Sequence, residues 1–242
     1  MHAISRSFGM LWDALFLQTD AYERMRDDDN PFVEGLFLLV LLGLLLAVVG
    51  IVGTTLEWAS SPPLAAVQQA VLSGLQKMQW YQDLEGSPEF VTQFRAIWDQ
   101  VWRIVGLTAP SPITSLTGII TKPLSLIVGW LVFGVIAYIL ARLFGGKGNL
   151  NQTLGATALG AAPQLLLIVT VLPFTAVAGL TTWTLLCNYM AIRTVHGLSW
   201  PRAVFAALLP PLIIALIIGF VFALLTVLFG GAIAAMMAGG LQ

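Results

Sequence analysis

The stretch GLFLLVLLGLLLAVVGIVGTTL, residues 35–56, runs for 22 residues without a charge. At about 1.5 Å per residue a helix of that length reaches roughly 33 Å, against a hydrocarbon core of about 30 Å. Hydrocarbon offers no water to backbone N–H and C=O groups, so a helix is the form expected. Four further apolar runs follow at 124–140, 156–172, 174–192 and 204–229. The two runs from 156 to 192 are divided only by Pro173 and carry no charge. Together they are too long for one crossing and fit two joined by a tight turn. The residues after Phe229 extend the last run or lie at the interface, and are too few for a sixth crossing.

Composition agrees with this reading. Of 242 residues, 58% are hydrophobic before glycine is counted and 10% are charged, and the mean hydropathy is +0.88. A soluble domain is about 45–50% apolar with glycine included and about 25% charged. A cytosolic enzyme domain, a basic nucleic-acid binder and a disordered segment are therefore excluded. The net charge of −1 points to no polyanionic partner. The single cysteine, Cys187, excludes an internal disulfide and a cysteine-built metal site. The expected fold is an all-α polytopic membrane protein with five transmembrane helices. An amphipathic helix precedes the first span, and a helical hairpin lies outside the membrane between spans one and two. In chain order the regions are an arm (1–34), the first span (35–56), a helical loop (57–121) and a four-helix membrane region (122–242).

The first run follows 34 residues rich in acids and is too long for a signal core, so a retained signal anchor is expected. Orientation follows the basic residues. With the amino terminus in the cytoplasm, the inner side holds Arg6, Arg24, Arg26, Arg142, Lys147, Arg193 and Arg202. The turn at Pro173 and the tail hold none, which places the carboxy terminus outside.

All twelve acids lie between Asp13 and Asp99. Four of the five spans thus carry no carboxylate, and proton relays, ion-coupled carriage, carboxylate-bound metal and aspartyl proteolysis are excluded. His2 is terminal, and His196 falls in the inner turn 193–202, where a solvated loop histidine is expected. No serine has both a base and an orienting acid. Lys147 is followed by Gly148 and preceded by a membrane helix, which defeats a phosphate-loop reading of 142–153 and leaves a flexible turn. No cofactor, metal or nucleic-acid partner is expected, and the catalytic set is empty.

Three segments carry amphipathic or polar patterns. In the arm, Ile4, Phe8, Leu11, Leu15 and Tyr22 share a face with Trp12 and Phe16 beside it, which suits an interfacial helix or an arm that docks a partner. Asn30 and Pro31 read as the N-cap and first position of the first span. In the loop, one helix is expected after Pro62–Pro63 and another from Ser87–Pro88–Glu89. The second aligns Phe90, Phe94, Ile97, Trp98, Val101, Trp102 and Val105. That stripe suits an external hairpin, a flat seat on the outer leaflet or a subunit contact, with Trp12, Phe94, Trp98 and Trp102 as candidate interface aromatics. Within the spans the polar residues are Gln164, Asn188, Tyr189 and three threonines at 181, 182 and 184. They are read as interhelical contacts, or alternatively as a track for a ligand. Small residues four apart, Ala158 with Ala162 and Gly219 with Ala223, allow close helix contact.

Two stretches carry a family resemblance: GGKGNLNQTLG at 145–155 running on to Ala162–Pro163, and Trp183 leading to VHGLSWPRA at 195–203. The second contains the turn of His196, Gly197, Ser199 and Arg202. With the amphipathic arm and the acidic-Asn-Pro start of the first span, the chain resembles the Yip-domain family. That family takes its name from interaction with Ypt/Rab GTPases, and its eukaryotic members act in vesicle trafficking. The resemblance implies five helices and a cytoplasmic amino terminus. The short arm and extended first loop depart from the trafficking members, so no functional residue is transferred. The expected role is a non-enzymatic scaffold or accessory subunit bound to lipids and other integral membrane proteins. The alternative is a carrier or channel for a neutral or lipid-like solute.

Overall fold

The structure, a computed structural model, describes residues 2–109, 111 and 115–239. Every element among them is helical. The order is α1 (His2–Leu15), α2 (Thr19–Arg26), α3 (Pro31–Ser60), α4 (Leu64–Gln76), α5 (Gln79–Leu84), α6 (Pro88–Thr108), α7 (Gly118–Leu143) and α8 (Leu150–Ala158). A 3-10 segment (Leu159–Val171) continues α8, followed by α9 (Leu180–His196) and α10 (Trp200–Gly239). Four segments have the length and apolarity of a crossing: Pro31–Ser60, Gly118–Leu143, Leu150–Val171 and Trp200–Gly230. The run expected at 174–192 starts late. Pro173 and the left-handed Gly179 (φ 78°) hold the chain outside regular helix, so α9 begins at Leu180 and has 17 residues.

The chain divides into two units. The first is built from the chain up to Leu46, from Thr121–Leu167 and from Val177 onward. Its helices alternate in direction. Phe32 stacks on Trp130 at 5.5 Å while Gly43 meets Pro123, so α3 and α7 run opposite ways. Thr153 pairs with His196 and Gly160 meets Asn188, so α8 and α9 do likewise. The contacts are close because the residues are small. Ala137, Ala141, Ile192, Ala203, Ala206 and Ala207 pack α7, α9 and α10 into one cluster. Ala158 and Ala162 are fully buried, whereas Gly219 and Ala223, at the same spacing, are exposed.

The arm is not a single helix on a surface. It breaks at Leu17, which adopts a left-handed φ of 58°, and returns as α2. Leu11, Ala14, Leu15, Tyr22 and Met25 are buried in the same core as Leu38, Leu42, Leu159 and Ala191. Two backbone carbonyls at the end of α1 find side-chain donors: Trp183 Nε1 reaches Leu15 O at 2.7 Å, and Tyr22 Oη reaches Ala14 O at 3.2 Å. Its charges pair on the exposed side, Arg24 with Asp13 and Arg6 with Asp28. Asn30 accepts from Val33 N at the start of α3, the cap that the sequence announces.

The second unit comprises Ala47–Ile120 and Ile168–Ala176. Both helices expected in the loop are present. Pro63 precedes α4, and the Ser87 side chain accepts from Phe90 N at the start of α6. The short α5 between them was not legible. Its Tyr81 packs edge-on against Phe90 and Phe94, and the ladder continues through Trp98 to Trp102 with centroids 5.4–5.8 Å apart. Phe94, Trp98 and Trp102 therefore face their own unit, whereas Ile97, Val101 and Ile104 remain exposed.

A Cβ at Gly43 would lie 2.5 Å from Pro123 Cα, whereas one at Gly50 meets nothing within 4 Å. Gly50→Ala should raise stability by up to ~1 kcal/mol through helix propensity. Gly43→Ala should lower it by about 1–3 kcal/mol, because backbone must move. Thermal unfolding of the two variants in one detergent compares the signs.

Candidate functional site

Two arrangements in the first unit bring the polar candidates together. One is a clasp at the end where α7, α9 and the arm finish. Asn149 begins α8 with a capping box: its side chain accepts from Gln152 N at 2.8 Å, and Gln152 Oε1 accepts from Asn149 N at 3.2 Å. Gly146 and Gly148 then pass so near α9 that a Cβ would fall 2.6 Å from His196 Nδ1 and 2.3 Å from Val195 Cγ1. The segment read as a flexible turn is packed backbone. Gly197 closes α9 in the left-handed region (φ 61°), its N–H donating to Arg193 O. Ser199 is exposed, and its carbonyl accepts from Ala203 N at the start of α10.

His196 is not a solvated loop residue; it is 1% exposed. Its Nε2 lies 2.9 Å from Thr153 Oγ1, whose own proton goes to Asn149 O at 2.7 Å. The hydroxyl must then accept from the ring, which sets the Nε2–H tautomer and leaves Nδ1 without a partner. The arginines bind backbone carbonyls: Arg142 that of Gly146, Arg202 that of Phe144 and Arg26 that of Thr194. Gln152 Nε2 adds Arg26 O at 3.4 Å. His196 and Arg202 of the family-like turn thus tie three chain segments together. Spacing could not reveal this, because the partners lie more than forty residues apart.

The second arrangement is a cavity of about 220 Å³ between α3, α7, α8 with its 3-10 continuation, and α9. Gln164 and Asn188 both line it, with Thr184, Thr157 and Trp130. Tyr189 does not. It accepts from Arg193 Nη1 at 3.1 Å and packs with the alanine cluster. Gly160 was missed by the sequence reading. Trp12 is 57% exposed and meets Phe16 edge-on. Among the described residues no three His, Cys, Asp or Glu side chains gather as a metal site.

These helices and their clasp define an all-helical, multi-pass membrane protein. The chain belongs to the Yip1 domain family, whose model matches residues 12–223. No curated protein and no solved structure matches it.

Burial, with Arg142 nearby, pushes His196 from the ordinary 6.5 down to about 4. The neutral ring is the folded form, so its contribution is complete above the unfolded value and lost as pH falls toward about 4. The loss should be on the order of 3 kcal/mol. Thermal unfolding followed from about pH 7 to about pH 4 should show a steeper fall for the native chain than for His196→Gln. Equal slopes would remove the imidazole from the account.

Proposed function

We propose that this protein is a non-enzymatic scaffold or accessory subunit that organises other integral membrane proteins. One observation carries the reading. Beyond Pro211, α10 is apolar on every side, and residues 215–229 are all exposed. Among the described residues of its own unit, none buries this stretch. Its Gly219 and Ala223, one turn apart, offer a small-residue face for a helix of another chain. At the clasp, the arginines are engaged with backbone carbonyls and His196 with Thr153, an arrangement that suits holding the fold and supplies no acid–base pair.

Extraction in mild detergent should recover the chain with stoichiometric membrane partners, and Gly219→Ile should release them without lowering thermal stability. Recovery of the native chain as a lone monomer in several mild detergents would overturn the reading. Asn188→Leu separates it from the carrier alternative, since a scaffold keeps its partners and a carrier loses flux.

The same reading takes α9 as a fourth crossing of five. The apolar run is 174–192, of which Leu180–Ile192 is helical over about 20 Å before Arg193 and His196 at the cytoplasmic end, and its direction alternates with α8. Arg142, Lys147, Arg193 and Arg202 then lie on the cytoplasmic side with the arm (1–34), and the loop (57–121) lies outside. In a Cys187→Ala background, an impermeant maleimide should label Ser87→Cys in intact cells and Lys147→Cys only after permeabilisation. A carboxy-terminal cysteine tag should label with Ser87→Cys; labelling with Lys147→Cys would mean four crossings.

A further inference from the structure

The cavity between α3, α7, α8 with its 3-10 continuation, and α9 combines three properties that together describe a ligand. The first is charge. None of its lining residues is ionisable, so a charged molecule would enter without a counter-charge. The second is an unanswered polar group. Asn188 is 5% exposed, lines the cavity, and has a buried Oδ1 without a partner. Three of the neighbouring donors are engaged elsewhere: Thr157 Oγ1 with Thr153 O at 2.7 Å, Trp130 Nε1 with Leu154 O at 2.8 Å, and Ser125 Oγ with Lys122 O at 2.9 Å; Thr184 and Gln164 line the same space, and neither bonds to Asn188 Oδ1. Buried amides are ordinarily paired, so this one is set for a group that comes from outside the chain. Gly160 makes its seat. A Cβ there would lie 2.3 Å from Asn188 Oδ1 and 2.7 Å from Nδ2.

The third property is position and size. Asn188 is eight residues before His196, about 12 Å along the helix, and Trp130 is twelve residues before Arg142, about 18 Å. With α7 and α9 taken as crossings, these distances from the inner-side charges set both residues at hydrocarbon depth. A volume of about 220 Å³ is several times the ~30 Å³ of one water. Leu39, Leu126 and Phe133 make part of its wall apolar.

We infer that this cavity binds the hydroxyl end of an uncharged lipid, with the Asn188 carboxamide as its hydrogen-bond partner. A hydroxyl donates and accepts, so it satisfies whichever amide atom faces it, and its apolar body continues along the leucine and phenylalanine wall. The inference stands apart from the scaffold reading, because a bound lipid requires neither partners nor transport.

The test uses the full chain in nanodiscs and a diazirine-bearing oleyl alcohol as probe. Photolabelling should map to 157–164 and 184–188. Unlabelled oleyl alcohol or dioleoylglycerol should displace the probe at about tenfold lower concentration than octadecene, which lacks the hydroxyl. Oleate, charged, should compete no better than octadecene. Asn188→Leu should lower labelling about tenfold, and Gly160→Ala should lower it through the displaced amide. Equal competition by octadecene, labelling confined to 215–229, or labelling unchanged in Asn188→Leu would each overturn the site. The competition series needs only the native chain, so it decides the matter if a variant fails to fold.

Discussion

Helices in hydrocarbon gain nothing by hiding apolar surface from one another, since lipid tails are as apolar as leucine; they associate where backbones approach closely. That constraint shapes the first unit. Gly155 rests on Pro31, Gly43 on Pro123, Gly35 on Ala158 and Gly160 on Asn188, each at a distance that no side chain would permit. At such separations dispersion and polar contacts replace the hydrophobic drive. The same approaches bring polar groups from distant segments within reach: Asn151 Oδ1 accepts from Phe32 N at 2.8 Å, beside the Gly155–Pro31 contact.

The arm follows from the same physics with a different outcome. Its apolar face has the pattern of an interfacial helix, yet the face is occupied by the protein's own core, with Tyr22 and Met25 fully buried. A partner would therefore meet the acidic side and the Trp12–Phe16 pair, not the periodic stripe. The break at Leu17 is the price, a left-handed backbone that L-residues seldom adopt.

Beside the clasp, the lipid cavity is the looser arrangement. His196 is held through Nε2 by a hydroxyl that is itself held by Asn149 O, and only its Nδ1 lacks a partner, whereas Asn188 Oδ1 has none and borders open space. The clasp fastens the ends of the helices, and the space between them is left to be filled.

Much was legible before any fold was known. The apolar runs announced α3, α7 and, from 156 onward, the Leu150–Val171 segment, and the caps at Asn30, Pro63 and Ser87 marked true helix starts. These are local quantities: transfer free energy sums along a segment, and a cap involves residues three apart. Tertiary structure alone decided that His196 is buried, that Tyr189 parts from Asn188, and that the arm folds back on its own bundle. Each depends on which backbones come close across long separations in the chain, and periodicity within one helix does not specify its neighbour.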